Sequence, residues 1–314
     1  MMRTIRGLHT TAAALVTAWA LVACGGGGGS PAPTPIPTPT PPVDTGSPAA
    51  TGNVATDGVN WANYRRVQAG LPKLDRNASI DLAAQRHSAY QQQNTVSHDQ
   101  EAGKPGFTGV TLADRLRQVN YLGSSYFIGE VISAATSNSG FYLTEELVTA
   151  IYHRFVIFEP KFKEIGAGSA SGGNGYTILT INFAANNGVG PGIGAGNLAT
   201  WPTSGQTGVL RNFMSDFESP DPVENQNEVG YPVSVHADTD VTLLVNSFTM
   251  QQRGGSALTV KLLSNVTDAQ HTPRSGAAII PLSVLLPNTI YDVTFSGTLN
   301  GTPLVKTWSF TTKS

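Results

Sequence analysis

The stretch IYHRFVIFEPKF, Ile151 to Phe162, sets an imidazole and a guanidinium side by side in a segment otherwise suited to a core. Burying an ionisable side chain is costly unless it is paired and hydrogen-bonded, so His153 and Arg154 each require a partner or a purpose. On a helix, adjacent side chains do not face each other. Arg154 is therefore read as an outward residue paired with Glu159 or Glu164, a structural role separate from that of His153. Elsewhere, Ser97 directly precedes His98, but neighbours on an extended chain point to opposite sides, so the two do not read as nucleophile and base. No G-x-S-x-G marks a nucleophile elbow. No H-E-x-x-H sets two histidines on one helix face, and no glycine-rich stretch ends in the G-K-[ST] of a phosphate loop. His87 continues the stripe of Ile80, Ala83 and Ala84 and reads as a satisfied core histidine. His236 and His271 have no visible partners and read as surface residues. The one cysteine of the chain is Cys24, so no internal disulfide can form.

Helix and strand signals place these residues. Asn60 to Gln68 reads as a helix that stops at Gly70 and Pro72. Asn77 is placed to cap the next helix. Thr111 and Asp114 form a T-x-x-D capping box ahead of Leu112, Leu116 and Val119. Thr144 is expected to cap a helix running through Leu147, Ile151 and Phe155. Two strands, Glu164 to Ala170 and Tyr176 to Ala184, flank the tight SGGNG and read as a hairpin. Helices followed by a closing hairpin imply an α+β unit with helices packed on a sheet. Beyond it, Val241 to Val245, Leu258 to Leu263 and Ile290 to Phe295 are strand-like. Asn300-Gly301 is a hairpin turn signal, and Trp308 and Phe310 share one face of the last strand. Short strands with regular turns point to a β-sandwich.

Charged residues are 13% of the chain, about half the usual share, and the net charge of −2 excludes the electrostatic footprint of a nucleic-acid binder. Residues 1–23 read as a signal peptide: Arg3 and Arg6 precede an apolar run, Thr10 to Val22, too short to span a bilayer. The run ends in LVAC, which resembles the bacterial lipobox and implies lipidation of Cys24. Gly25 after the cysteine resembles the outer-membrane sorting pattern of Gram-negative lipoproteins. Residues 24–53, rich in Gly, Pro and Thr, read as an extended tether. A globular segment over 54–187, a Gly-rich linker over 188–205 and an all-β segment over 206–314 complete the chain.

Four ordered stretches resemble the CAP superfamily of cysteine-rich secretory proteins, in its disulfide-free bacterial branch. They are NYRRVQAGLPKL with LAAQRHSAY, then VSH, then GE, then YHRFVIFEPKFKEIGAG with the final strand YTILTINFA. The resemblance covers nearly all of Asn60 to Phe183 and implies an α-β-α sandwich with a central cleft lined by two histidines and one or two acids. By position it assigns His98 and His153 as the histidines and Glu130 as the acid. The asparagine that follows this glutamate in relatives is Val131 here, which removes an amide that could orient Glu130. Glu146 is preferred over Glu145 as a second acid, because seven residues separate it from His153 and seven is close to two helical turns. The ending YDVTFSGTLNG…KTWSFTT resembles the last hairpin of bacterial immunoglobulin-like modules.

These resemblances imply a lipid-anchored protein outside the cytoplasm, exported across the inner membrane to the outer membrane. Its cleft would act as a non-enzymatic binding module for a lipid, sterol, glycan or cell-wall ligand. His98, Glu130 and His153 are plausible ligands for Zn²⁺ or another divalent cation. The alternatives are a metal-assisted hydrolase and a structural envelope protein with a vestigial cleft.

Overall fold

The computed structural model describes residues 46–172 and 175–314. The proposed signal peptide, Cys24 and most of the tether lie outside the described residues. The first region builds one four-stranded sheet from β1 (Asp75–Arg76), β2 (Tyr126–Ala135), β3 (Glu164–Ser171) and β4 (Thr177–Asn186), in the order β1-β3-β4-β2. The helices are α1 (Val54–Gln68), α2 (Ala78–Gln93), α3 (Leu112–Gln118), α4 (Gly140–Thr149) and α5 (Ile151–Ile157). Asn77 caps α2 by accepting from the N–H groups of Ser79 and Ile80, and the Thr111–Asp114 capping box opens α3. The expected hairpin is β3–β4. Helix α1 begins earlier than expected, at Val54 with Asn53 as its cap, because Ala55 and Val59 add buried contacts upstream of Asn60.

The period-two alternation of a strand divides this region into layers. Along β4, Leu179, Ile181 and Phe183 join a core with Val59, Leu143 and Leu147 of α1 and α4. On the opposite face Thr180 accepts hydrogen bonds from Ser88 and Gln91 of α2, and Ala184 packs with Ile80, Ala83 and Leu116. Helices therefore cover both faces of the sheet. Gly168 permits the close approach of α2: a Cβ there would lie 2.1 Å from the backbone of Gln85.

Helix α4 departs from expectation. Its N-cap is Ser139, which accepts from the Tyr142 N–H, while Thr144 is buried within the helix. The helix ends at Ala150, whose ψ of 120° is extended, and α5 starts again at Ile151. Leu147 and Ile151 thus lie on separate helices, and Glu146 and His153 do not share one helix face.

The second region contains several antiparallel sheets. Strands β5 (Ala199–Trp201), β8 (Val233–His236), β10 (Val260–Ser264) and β11 (Gly276–Pro281) form one, in the order β10-β11-β8-β5. Strands β9 (Leu243–Gln252), β12 (Ile290–Leu299) and β13 (Thr302–Thr311) form another, and β6 (Asn212–Met214) pairs with β7 (Glu228–Gly230). Asn300 and Gly301, both at positive φ, turn β12 into β13. Strand β5 falls inside the stretch read as a linker. Its Trp201 is fully buried, so part of that stretch is integral to the sheet.

One apolar core runs through both regions. Phe158 of the first region meets Trp201 and His236 edge-on at 5.2 and 5.3 Å, and Phe155 meets His236 at 5.6 Å. His236 is therefore buried rather than at the surface. It bonds to Ser234 Oγ, and burial holds it well below the ordinary histidine pKa. His271 is half-buried, paired with Asp268 and packed 5.2 Å from Tyr152. The polar partners of both histidines, Ser234 and Asp268, are local, whereas the rings that cover them, Phe155, Phe158 and Tyr152, come from the other region.

Glu159 sits buried at this junction. Burial pushes its carboxyl up to about 7, and Asp238 of the second region adds to the rise, against the lowering effects of Lys161 N–H and Arg66. An acid with a raised folded-state pKa binds its proton more tightly in the native state. Its contribution to stability is greatest below about pH 4.5 and is lost as pH rises through about 7. Glu159→Gln should therefore be more stable than the parent at pH 8 and lose that advantage near pH 5, by on the order of 3 kcal/mol at most. Urea unfolding at both pH values checks this. A difference that does not change with pH would contradict it.

Candidate functional site

The site is built around a buried carboxylate. Glu130 lies on β2, on the α2 face of the sheet, opposite Asn182 of β4. An isolated carboxylate there would be strongly disfavoured, and Arg115 prevents that isolation. One guanidinium nitrogen donates to both Glu130 oxygens, at 2.9 and 2.8 Å. The other donates to the carbonyls of His98 and Val110, at 2.8 and 3.1 Å. Arg115 thus fixes the acid and the backbone that carries the imidazole. The ring closes the arrangement: His98 Nδ1 lies 2.9 Å from Glu130 Oε1. An ionised carboxylate can only accept, so His98 carries its proton on Nδ1 and leaves Nε2 as a lone-pair donor. That Nε2 is buried and has no protein partner.

His87 extends the cluster. Its Nδ1 meets Gln100 Nε2 at 2.9 Å, and its Nε2 lies 3.7 Å from Glu130 Oε1. Burial first, then the charge of Arg115 and the presence of His98, lower His87 to about 4 against the opposing pull of Glu130, so the ring is neutral at pH 7. Burial alone would raise Glu130, but Arg115 and then His87 and His98 outweigh it and bring the carboxyl down to about 2. Glu130 is therefore ionised throughout the physiological range. Arg115 orients Glu130, whereas Val131 points to the opposite face of β2, into the core with Val59 and Leu143, where an amide would not reach the carboxylate.

His153 is placed differently. It lies on α5, and its Nδ1 is 3.0 Å from Oε1 of Glu218, a residue of the second region. Glu218 also accepts the backbone N–H groups of Ile151, Tyr152 and His153, at 2.8, 2.7 and 3.1 Å. His153 Nε2 is buried and unpartnered, like that of His98. Arg154 does not face outward and pairs with neither Glu159 nor Glu164. It is fully buried and donates to the carbonyls of Val148, Thr149 and Pro232 and to Ser234 Oγ. The break at Ala150 leaves those α4 carbonyls without helical partners, which is what turns the side chain inward.

The residues assigned from the family pattern thus form two units, His98 with Glu130 and His153 with Glu218. Neither Glu145 nor Glu146 joins them: Glu145 is taken up by Trp61 Nε1 and the Arg65 guanidinium, and Glu146 is exposed on α4. For a divalent cation the fit is partial. The two Nε2 lone pairs suit imidazole ligation, each ring being held through Nδ1 by a carboxylate. Glu130 does not suit it, because both its oxygens are spent on a guanidinium. Among the described residues no three His, Cys, Asp or Glu side chains come together as a metal-holding group. An open groove of about 620 Å³ between the regions, lined by Leu71, Pro72, Ile193, Leu198 and Lys306, contains none of these histidines.

Arg115 and Glu218 are the participants that sequence reading missed. Arg115 had a signal: with Leu112, Leu116 and Val119 it completes an i, i+3, i+4, i+7 stripe, so an arginine occupies a core position. Glu218 had none.

Residues 59–183 match the CAP family, the cysteine-rich secretory protein family. That segment is a CAP domain, and it accounts for less than half of the chain. Similar solved structures include an extracellular protein with an SCP domain from Bacillus anthracis, at 23% identity, covering 43% of this chain and 44% of that one with a TM-score of 0.36. An outer surface protein from Borrelia burgdorferi is 14% identical, over 41% of this chain and 90% of that one, with a TM-score of 0.35. A cysteine-rich secretory protein from Staphylococcus aureus is 17% identical, over 44% and 40% of the two chains, with a TM-score of 0.32. The chain thus spans less than half the length of the Bacillus protein. No curated protein matches it. Among the described residues no helix is long and apolar enough to cross a membrane.

Arg115→Met should lower stability by about 3–5 kcal/mol, because it leaves the buried Glu130 without its cationic partner. Glu130→Gln combined with Arg115→Met should recover part of that loss. Chemical unfolding of the two single variants and the double variant measures the coupling, and strictly additive losses would contradict the pairing described here.

Proposed function

We propose that this protein is a lipid-anchored binding protein outside the cytoplasm, with a CAP-domain site formed by the ring nitrogens of His98 and His153. The second region, in this reading, is an immunoglobulin-like β-sandwich, and Cys24 carries the anchor at the outer membrane of a Gram-negative cell. One observation carries the binding role. Arg115 locks Glu130, and Glu130 locks the His98 tautomer, so Nε2 is held ready to donate its lone pair without rearrangement. Preorganisation of this kind lowers the cost of binding. The Nε2 atoms of His98 and His153 are the groups suited to hold a divalent cation such as Zn²⁺, which imidazole binds readily. A cation so held would attract carbonyl, carboxylate or hydroxyl oxygens of a lipid, glycan or cell-wall ligand. Glu130 and Glu218 stay behind the rings, orienting them.

Zinc titration of the full chain by calorimetry tests this reading. The parent should bind, and His98→Ala and His153→Ala should each weaken binding at least about tenfold. Unchanged affinity in either variant would show that the two rings do not share a ligand. Replacing Cys24 with Ala should move the protein from the membrane fraction to the soluble fraction, and retention in the membrane would remove the lipid anchor from the proposal.

A further inference from the structure

Helix α5 starts without a cap of its own. Ala150 offers no side-chain acceptor, yet the first N–H groups of α5 are buried with their residues. Glu218 meets this need from the second region, and its carboxylate is itself fully removed from solvent. Capping alone would not require the ring contact. The same Oε1 that accepts the Tyr152 and His153 N–H groups also lies 3.0 Å from His153 Nδ1. Ring and helix start are therefore bound to one atom. The result repeats the His98 arrangement: carboxylate at Nδ1, bare buried Nε2.

We propose that Glu218 is a positioning residue of the binding site, fixing the tautomer and orientation of His153. The C-terminal region is then part of the site and not a spacer for it. This rests on the reading of His153 Nε2 as a ligand-facing atom. It adds that this atom is prepared by a residue outside the CAP domain, so the isolated CAP segment would lack half of the orienting apparatus. Both Glu218 oxygens already act as acceptors for α5 N–H groups, so the contact with the ring is met by an Nδ1–H and the lone pair stays on Nε2. Without it the neutral ring is free to carry its proton on Nε2, where a cation could not bind.

Long-range proton–nitrogen correlation spectra of the full chain labelled with ¹⁵N-histidine read this directly, with His153 assigned by its loss in His153→Gln. In the parent, His153 should be the Nδ1–H tautomer. In Glu218→Ala it should shift toward the Nε2–H form while His98, held by Glu130, stays unchanged. Zinc affinity should fall about 10- to 100-fold. If Glu218→Ala does not fold, as judged by circular dichroism, Glu218→Gln is read in its place. An Nε2–H tautomer in the parent overturns the proposal without any variant, as does a folded variant that keeps Nδ1–H or binds zinc as the parent does. If the parent binds no zinc but His153 shows the Glu218-dependent tautomer, the binding reading fails while the positioning by Glu218 stands.

Discussion

Arg154 and Glu218, both buried at the break between α4 and α5, set the register in which the two regions meet. The break at Ala150 exposes carbonyls at the end of one helix and N–H groups at the start of the next. Arg154 reaches back to the carbonyls of Val148 and Thr149, and across to Pro232 O and Ser234 Oγ. Glu218 reaches from the second region to the N–H groups of α5. The guanidinium also lies over the Tyr231 ring at 5.0 Å. Neither charge could be removed alone without leaving orphaned polar groups in a dry interior, where each costs about 1–3 kcal/mol or more. Arg154 and Glu218 both bridge the regions, so the start of α5, and with it His153, is bonded to both.

The two imidazoles show how differently the same chemical outcome can be built. His98 is prepared within the CAP domain by a chain of charge-assisted bonds from Arg115 through Glu130. The chain closes on itself, since Arg115 holds both the acid and the His98 carbonyl. His153 is prepared by a single acid from outside the domain, fixed by helix N–H donors instead of an arginine. Partial positive charge at a helix start favours an anion there, so α5 plays toward Glu218 the part that Arg115 plays toward Glu130. In both units several donors converge on the carboxylate, and the ring beyond it is fixed in consequence.

Much of this was legible in the sequence, and the failures share a cause. The caps at Asn77 and Thr111, the β3–β4 hairpin and the Asn300-Gly301 turn are local signals, and each appears in the fold. The ordered CAP stretches bring His98 and Glu130 to one site, and the two side chains meet at 2.9 Å. Much of what sequence reading misses lies across long sequence separations. His236 reads as solvent-facing until Phe155 and Phe158 pack against it. Arg154 reads as outward on a continuous helix, but the helix stops at Ala150, and no single residue there announces it. Glu218 stands in FESPDP, a stretch with no helix, strand or motif signal, and is linked to His153 only through the docking of two regions. Arg115 is the exception, being a core-stripe position readable from periodicity alone.

The apolar residues of IYHRFVIFEPKF explain why a distant acid can be trusted with so central a position. Polar bonds across an interface contribute little net binding energy once desolvation is counted, but they fix register sharply. Burial supplies the attraction. Phe155 and Phe158 lie against His236 and Trp201, and Ile151 and Tyr152 pack with Phe213, Val229 and Leu263 of the second region. Each large side chain so buried contributes about 1.5–3 kcal/mol. The segment therefore works at two levels: its apolar faces bring the second region to α5, and the break at its start dictates which polar groups of that region must arrive there. Arg154 and His153 are adjacent in sequence because one helix start must be tied both to the helix before it and to the region beyond it.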